Sequence, residues 1–201
     1  MEKTRHRMIK KIVVIGPEST GKSTLCEQLA LHYETRWCPE YARAWLLQNG
    51  TNYTFEDLLT IAQGQLSMED EYTEKLENES LPLLESGGNI PLFIDTDMYV
   101  MKVWCEFVFG KCHRFVLDNV LKRKYDGYLL CNVDLPWTKD ELREYPDLDT
   151  RKTLFRMYKD LLINQPTPWS LISGTGEDRL QSAIKAVDEI LSKPADDSSY
   201  A

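Results

Sequence analysis

The chain has 201 residues, of which 42% are hydrophobic and 28% are charged, a balance typical of one globular domain. Its formal net charge of -8 argues against a nucleic-acid partner, because phosphate backbones are bound mainly by clustered lysine and arginine. No apolar run approaches the roughly 18 residues that a transmembrane helix needs, so we expect no membrane partner either.

The N-terminal residues 1–10 are basic, and the apolar run after them is too short for the core of a secretory signal peptide. Five scattered cysteines without a CxxC pair favour buried free thiols over disulfides or a zinc site. We therefore expect a soluble cytoplasmic protein with one domain at residues 11–193. Residues 1–10 would form an extension, and the polar tail at 194–201 is expected to be disordered.

A phosphate-binding loop is predicted directly after the first strand. The apolar sequence KIVVIG at 11–16 is typical of a strand, and Leu25 and Leu29 follow at helical spacing. Between them, GPESTGKS fits G-x-x-x-x-G-K-[ST], in which main-chain amides surround a phosphate at the start of a helix. Lys22 is then expected to contact the β and γ phosphates, and Ser23 to bind Mg²⁺. The residues predicted to bind ATP here are Gly16, Pro17, Glu18, Ser19, Thr20, Gly21, Lys22, Ser23 and Thr24.

A weaker strand is predicted at 35–41, followed by helical patterns. Glu40 lies at the end of this strand, where its carboxylate can act as a base or be an exposed carboxylate at a helix start. Arg43 lies one helical turn further on and can pair with Glu40 or hold a phosphate. A capping-box sequence, TFED, marks the start of a long helix at Thr54. The predicted buried side of that helix comprises Leu58, Ile61, Gln65, Met68, Tyr72 and Leu76.

The strand predicted at 91–96 ends in two acidic residues. Asp95 lies at the strand end, where an acid commonly holds the metal of a bound nucleotide. Asp97 lies two residues further on, and either projects into the ligand cleft or caps the next helix.

Two more strands, at 126–132 and 169–173, complete an alternation of strands with helices. Such alternation implies parallel pairing, and therefore a three-layer α/β/α fold with a parallel sheet of about five strands. The last helix is predicted from one apolar stripe that is followed by Pro194. This stripe comprises Leu180, Ala183, Ile184, Val187, Ile190 and Leu191.

Five motifs in chain order, GPESTGKSTL, EYAR, IAQGQ, FIDTD and W-x-x-D-x-L-R, resemble the nicotinamide riboside kinase domain of bacterial NadR proteins. The resemblance extends over residues 10–192 and implies a P-loop NTPase fold of the nucleoside/nucleotide-kinase type, with a helical lid at about 134–152. It also implies transfer of phosphate from ATP, with Mg²⁺, to the 5′-hydroxyl of nicotinamide riboside. One departure is Glu141, where the NadR pattern usually has glycine, and it affects the expected lid geometry.

Roles are expected for residues in the acceptor pocket and in the lid that the resemblance implies. Glu40 and Asp97 are both expected to face the cleft, so either carboxylate could accept the proton of the attacking hydroxyl. Glu40 is favoured as the base, and Asp97 for contact with the ribose or the metal. Arg143 and Arg151 of the lid are expected to stabilise the transferred phosphate, the alternative being ordinary charges on a surface helix.

Aromatic residues near the predicted acceptor wall are candidates for stacking on a flat, positively charged pyridinium ring. The candidates are Trp37, Tyr41, Trp45 and Trp104, although aromatic residues at this spacing are commonly core residues. The backbone of the loop SGTGEDR is expected to pack on adenine, because Gly174 and Gly176 permit close approach, and Gly174 and Thr175 are the predicted nucleotide-binding residues. The alternative is a plain turn between strand and helix.

Other functions are compatible with a P-loop. The same loop would serve a kinase for another nucleoside or a nucleoside monophosphate, and it also occurs in switches and regulatory ATPases. The guanine-binding N-K-x-D motif of GTPase switches does not occur in the sequence. A kinase with a small nucleoside substrate is therefore preferred, and the sequence does not specify its oligomeric state.

Overall fold

The structure, a computed structural model, describes residues 9–80 and 89–192, and these form a three-layer α/β/α fold. The expected tail at 194–201, Pro194 and the first eight residues lie outside the described residues. The elements in chain order are β1 (Ile9–Ile15), α1 (Lys22–His32), β2 (Trp37–Cys38), α2 (Tyr41–Asn49), α3 (Phe55–Ser80), β3 (Ile90–Asp95), α4 (Met98–Phe109), α5 (Arg114–Lys122), β4 (Gly127–Cys131), α6 (Leu148–Ile163), β5 (Trp169–Ile172) and α7 (Gly176–Leu191).

The sheet is parallel, and its strands lie in the order β2-β3-β1-β4-β5. Its central strand is β1, which pairs with β3 on one side and β4 on the other. Val14 is the register partner of Asp95. Because all carboxyl ends lie along one edge, the loop after β1 and the end of β3 are neighbours there, where ligands of such sheets bind.

Apolar side chains cover both faces of the sheet, as mostly apolar strands predict. Ile12 and Val14 pack toward α1 and α7, whereas Val13 and Ile15 pack toward α4 and α6. All six residues of β3 are buried. The five cysteines are free, as expected, and Cys112 alone among them is not fully buried.

The two clearest helix predictions are confirmed. At the start of α3, the Asp57 carboxylate accepts from the Thr54 amide (2.8 Å), and Thr54 Oγ1 accepts from the Asp57 amide (3.3 Å). The predicted faces of α3 and α7 pack into the core. Among the described residues, no helix combines the length and the apolar character that crossing a membrane requires.

Three predictions differ from the structure by two residues or more. β1 begins two residues earlier than expected, at Ile9. The strand expected at 35–41 is reduced to Trp37–Cys38, because Pro39 has no amide to donate to a neighbouring strand. The lid segment has no helix before Leu148, and Pro136 and Pro146 both oppose one there.

The EYAR and IAQGQ motifs contact each other and hold α2 against α3. Gln65 Oε1 accepts from the amide of Tyr41 (2.7 Å), and Gln65 Nε2 donates to the carbonyl of Pro39 (3.4 Å). A Cβ atom at Gly64 would lie 2.2 Å from Cε1 of the Tyr41 ring. The glycine is therefore needed for the close approach of the two helices that positions Glu40.

Replacing Gly64 by alanine should destabilise the protein, although the same change in an open helix interior stabilises by about 0.5–1 kcal/mol. The new methyl group must displace the Tyr41 ring, at an expected cost of about 1–3 kcal/mol in the free energy of unfolding. Urea denaturation measures the change, with Ser67→Ala at an exposed position of α3 as the control. A Gly64→Ala protein as stable as the wild type would contradict this packing.

Candidate active site at the carboxyl edge of the sheet

The predicted phosphate-binding loop joins β1 to α1 as expected. Gly21 has a φ of 75° at the N-cap of α1, a left-handed conformation that favours glycine. Lys22 Nζ donates to the Pro17 carbonyl (3.1 Å), so its side chain folds back over the loop. The loop residues and this cation line one cavity, as anion binding at a helix start requires.

Ser23 and Asp95 meet where this loop passes the end of β3. Ser23 Oγ donates to Asp95 Oδ2 at 2.5 Å, and Asp95 Oδ1 is buried without a partner among the described residues. Burial, and secondly the charge of Glu40, raise the pKa of Asp95 to about 6.

This pair fits a divalent cation. Asp95 is a buried carboxylate with one free oxygen beside a hydroxyl, and a cation bound there would favour its ionised form. Ser23 and Asp95 would hold Mg²⁺, which commonly takes its other ligands from waters and substrate phosphates.

A cavity of about 220 Å³ extends from this loop toward α2, α4 and α6. Its lining includes the predicted residues Glu40, Arg43, Trp104 and Arg143 together with all nine loop residues from Gly16 to Thr24. The remaining lining residues are Ala42, Leu46, Val100, Phe107, Leu142, Glu144, Tyr145, Leu154 and Tyr158.

Glu40 lies at the N-cap of α2, but its side chain makes no capping hydrogen bond. Glu40 Oε1 accepts a hydrogen bond from Thr96 Oγ1 at 3.4 Å. The carboxylate therefore faces the cavity, next to the end of β3, with further acceptor capacity.

Asp97 does not line the cavity, and its carboxylate caps α4. Its Oδ1 accepts from the amides of Tyr99 (3.0 Å) and Val100 (3.3 Å), and its Oδ2 accepts from the Tyr128 hydroxyl (3.0 Å). Burial raises the pKa of this carboxyl to about 7. The contacts favour the capping alternative over a substrate contact.

The lid segment rests on the phosphate-binding loop. The Glu18 carboxylate accepts from the amides of Glu144 (3.1 Å) and Tyr145 (3.1 Å), and Ser19 Oγ accepts from the Thr138 amide (2.9 Å). Arg143 Nη1 lies 3.4 Å from Ser19 Oγ. The lid therefore brings Arg143 beside the loop that is expected to hold phosphates.

A second lid contact is made with α2. Arg43 pairs with Asp140 of the lid, with 3.1 Å between Nη2 and Oδ2. Arg43 was expected to pair with Glu40 or to hold a phosphate; its observed partner is Asp140 of the lid, and the phosphate contact stays a prediction.

Five other predicted site residues do not line the cavity: Asp95, which contacts the lining residue Ser23, and four that are described next. Arg151 is 2% exposed and donates to the carbonyls of Ser19 (3.1 Å) and Leu135 (3.3 Å), so it contacts the loop backbone. The Gly174 amide donates to Asp134 (2.7 Å), and Thr175 is the N-cap of α7. Tyr41 packs against α3, and ligand contacts by these four residues stay predictions.

Sequence reasoning missed several residues of the cavity wall. Phe107 follows Trp104 at helical spacing on α4, and Leu154 and Tyr158 are four residues apart on α6. Their spacing predicts a shared helix face, but it does not show that the face borders a cavity.

These features define a P-loop kinase fold: a parallel sheet, a phosphate-binding loop after its central strand, and a buried acid at the end of the next strand. The chain belongs to a family described as "AAA domain", whose profile matches residues 11–179.

The curated relatives include the trifunctional NAD biosynthesis/regulator protein NadR of Salmonella typhimurium, 24% identical over 161 residues, and of Escherichia coli, 25% identical over 157 residues. Each match covers 77% of this chain and 36% of the relative, so the chain spans about a third of their length. The resemblance to NadR that the motifs indicate is thereby confirmed.

Solved structures confirm the fold. A NadR protein in complex with NR superposes with a TM-score of 0.71 at 19% identity, over 95% of this chain and 52% of that chain. A NadR protein in complex with NAD and AMP-PNP gives a TM-score of 0.64 at 20% identity, with the same coverage. Thymidylate kinase from Ehrlichia chaffeensis gives 0.57 at 16% identity, over 89% and 98% of the two chains.

Replacing Asp97 by asparagine should change how stability depends on pH. The pKa of Asp97 is raised from its usual 3.8 to about 7, so the folded state binds the proton more tightly than the unfolded state does. The stability that this proton provides is present at low pH and is lost as pH rises through about 7. Between pH 3.8 and about 7, the free energy of unfolding of the wild type should fall by on the order of a few kcal/mol relative to that of Asp97→Asn.

The measurement is the free energy of unfolding of both proteins across this pH range. Asp57→Asn is a control of opposite sign, because hydrogen bonds from Thr54 lower the pKa of Asp57. Asp57 therefore stabilises the protein at neutral pH and loses this effect in acid. If the free energy of unfolding depends on pH in the same way for the wild type and Asp97→Asn, the raised pKa of Asp97 is contradicted.

Proposed function

We propose that the protein is a kinase that transfers the γ-phosphate of ATP to the 5′-hydroxyl of nicotinamide riboside, giving nicotinamide mononucleotide. The observation that carries the proposal is one continuous cavity with a phosphate-binding loop at one end and aromatic and acidic side chains at the other. The similarity to a NadR protein crystallised with NR supports this choice of acceptor.

The acceptor half of the cavity suits a flat, positively charged ring. Trp104, Phe107, Tyr145 and Tyr158 supply aromatic surface, and Glu40 supplies a carboxylate. Aromatic faces attract cations, and a nearby carboxylate adds to the attraction. Trp104 is oriented by a hydrogen bond from its Nε1 to the Tyr53 hydroxyl (2.8 Å).

The other half suits the triphosphate of ATP. The amides at the start of α1 and the Lys22 ammonium would bind its phosphates, and Arg143 lies beside them on the lid. Mg²⁺, when bound by Ser23 and Asp95, would neutralise negative charge on the phosphates.

Glu40 is the candidate general base. Its carboxylate lines the cavity between the loop and the aromatic wall, and no capping contact occupies it. It would accept the proton of the 5′-hydroxyl as that oxygen attacks phosphorus. Asp97 is a poorer candidate, because both of its oxygens already accept hydrogen bonds.

A coupled assay for ADP release, with ATP and Mg²⁺, tests the proposal against a panel of nucleosides and nucleoside monophosphates. Nicotinamide riboside should be the preferred acceptor. Lys22→Ala should lower kcat by about 10²-fold or more, since it removes a cation from the phosphate site. Glu40→Gln should lower kcat by about 10²- to 10⁴-fold.

Lys152→Ala is the matched control, because Lys152 is an exposed lysine of α6 outside the cavity lining. Turnover of another acceptor but not of nicotinamide riboside would show that the acceptor is wrong. ATP hydrolysis that no acceptor accelerates would instead favour a regulatory ATPase.

A further inference from the structure

Arg179, in the first turn of α7, joins three loops at the carboxyl edge of the sheet. Its Nη2 donates to the carbonyl of Thr20 (2.7 Å), in the loop after β1. Its Nη1 donates to Asp134 Oδ1 (2.9 Å), after β4, and to the Gly174 carbonyl (3.1 Å), after β5. The side chain is almost completely buried.

We propose that Arg179 is a positioning residue that orients the Thr20–Gly21 peptide so that the Gly21 amide faces the phosphates of the nucleotide. The inference rests on the proposed function in one respect, namely that the ligand of the loop is a nucleoside triphosphate.

Peptide geometry connects the arginine to the binding site. The Thr20 carbonyl and the Gly21 amide belong to one planar trans peptide, so they point in opposite directions. Arg179 holds the carbonyl outward, and the amide of Gly21, a cavity-lining residue, is thereby directed inward. This restraint matters at Gly21, because a glycine has no side chain that limits its backbone angles.

The form of the contact suits arginine rather than lysine. Two different nitrogens of one rigid guanidinium hold the Thr20 carbonyl and Asp134, whereas a single ammonium has no such fork. Asp134 also accepts from the Gly174 amide (2.7 Å), which fixes the carboxylate in place. Bonds to a charged donor are stronger than neutral ones, so the peptide is held firmly.

The cost of burying this side chain favours a role beyond packing. Arg179 Nε is buried and has no partner among the described residues. An unpartnered buried polar group reduces stability, and an apolar side chain would fill the same space without that cost.

The test compares Arg179→Ala, Arg179→Lys and Asp134→Asn with the wild type. Calorimetry measures Kd for a non-hydrolysable ATP analogue and for inorganic tripolyphosphate, and thermal melting measures the stability of each protein. Arg179→Ala should bind both ligands about tenfold or more weakly, the equivalent of one lost charged hydrogen bond. Arg179→Lys should remain impaired, and Asp134→Asn should be intermediate for both ligands.

Arg123→Ala is the matched control. Arg123 also pairs with an aspartate, Asp70 in α3 (2.8 Å), but within the described part of the chain its ion pairs are with α3 and not with the phosphate-binding loop. This variant should melt at a lower temperature and keep both Kd values within about twofold of the wild type. Steady-state kinetics of Arg179→Ala should show a raised KM for ATP, with the KM of the acceptor changed much less.

Unchanged Kd values for both ligands in a folded Arg179→Ala protein would overturn the proposal, as would a loss of ATP binding with tripolyphosphate binding retained. If Arg179→Ala does not fold, unchanged binding by Asp134→Asn overturns it. The two Kd measurements need no acceptor substrate. A wild type that binds the ATP analogue but does not phosphorylate nicotinamide riboside therefore contradicts the proposed function alone. A wild type that binds neither ligand contradicts this inference as well.

Discussion

The hydrogen bond between Ser23 Oγ and Asp95 Oδ2 is the contact on which the candidate active site depends. It forms because β1 and β3 are neighbours, with Asp95 opposite Val14, so the loop after β1 passes the end of β3. The Asp95 carboxylate is buried with a raised pKa, a cost that a metal ion at this position would offset. The same strand order also brings Glu40, after β2, to the same edge.

The phosphate-binding loop lines the cavity on one side, and other residues hold its backbone on the opposite side. Arg151 and Arg179 contact the carbonyls of Ser19 and Thr20, while Glu18 and Ser19 accept hydrogen bonds from lid amides. Residues at the variable positions of the motif therefore connect the phosphate site to the lid. This arrangement agrees with the general observation that binding sites are preorganised by the residues around them.

Local patterns in the sequence predicted much of the fold and part of the site. The loop, the face of α3 and the stripe of α7 depend on residues close together in sequence, and the structure has them as predicted. Asp95 was identifiable because an acid that ends an apolar strand has few other roles. The capping contacts of Asp97 are local, but the Tyr128 hydroxyl that occupies its other oxygen lies 31 residues away, so the choice between capping and a cleft contact required the fold.

Contacts between distant segments account for most of what the sequence did not predict about the fold and the site. The bonds from Arg151 to Ser19 and from Arg179 to Thr20 join residues 132 and 159 positions apart, and no periodicity reports them. The short β2 and the lack of a helix in the lid segment before Leu148 reflect prolines, whose effect outweighed the surrounding sequence pattern.

The most direct test of the central claim is a crystal structure with a non-hydrolysable ATP analogue and Mn²⁺ in place of Mg²⁺. The account predicts an anomalous peak beside Ser23 Oγ and Asp95, with the triphosphate against the amides of Gly21 to Thr24 and the Lys22 ammonium. An empty loop at saturating ligand, or a metal peak away from Ser23 and Asp95, would contradict it.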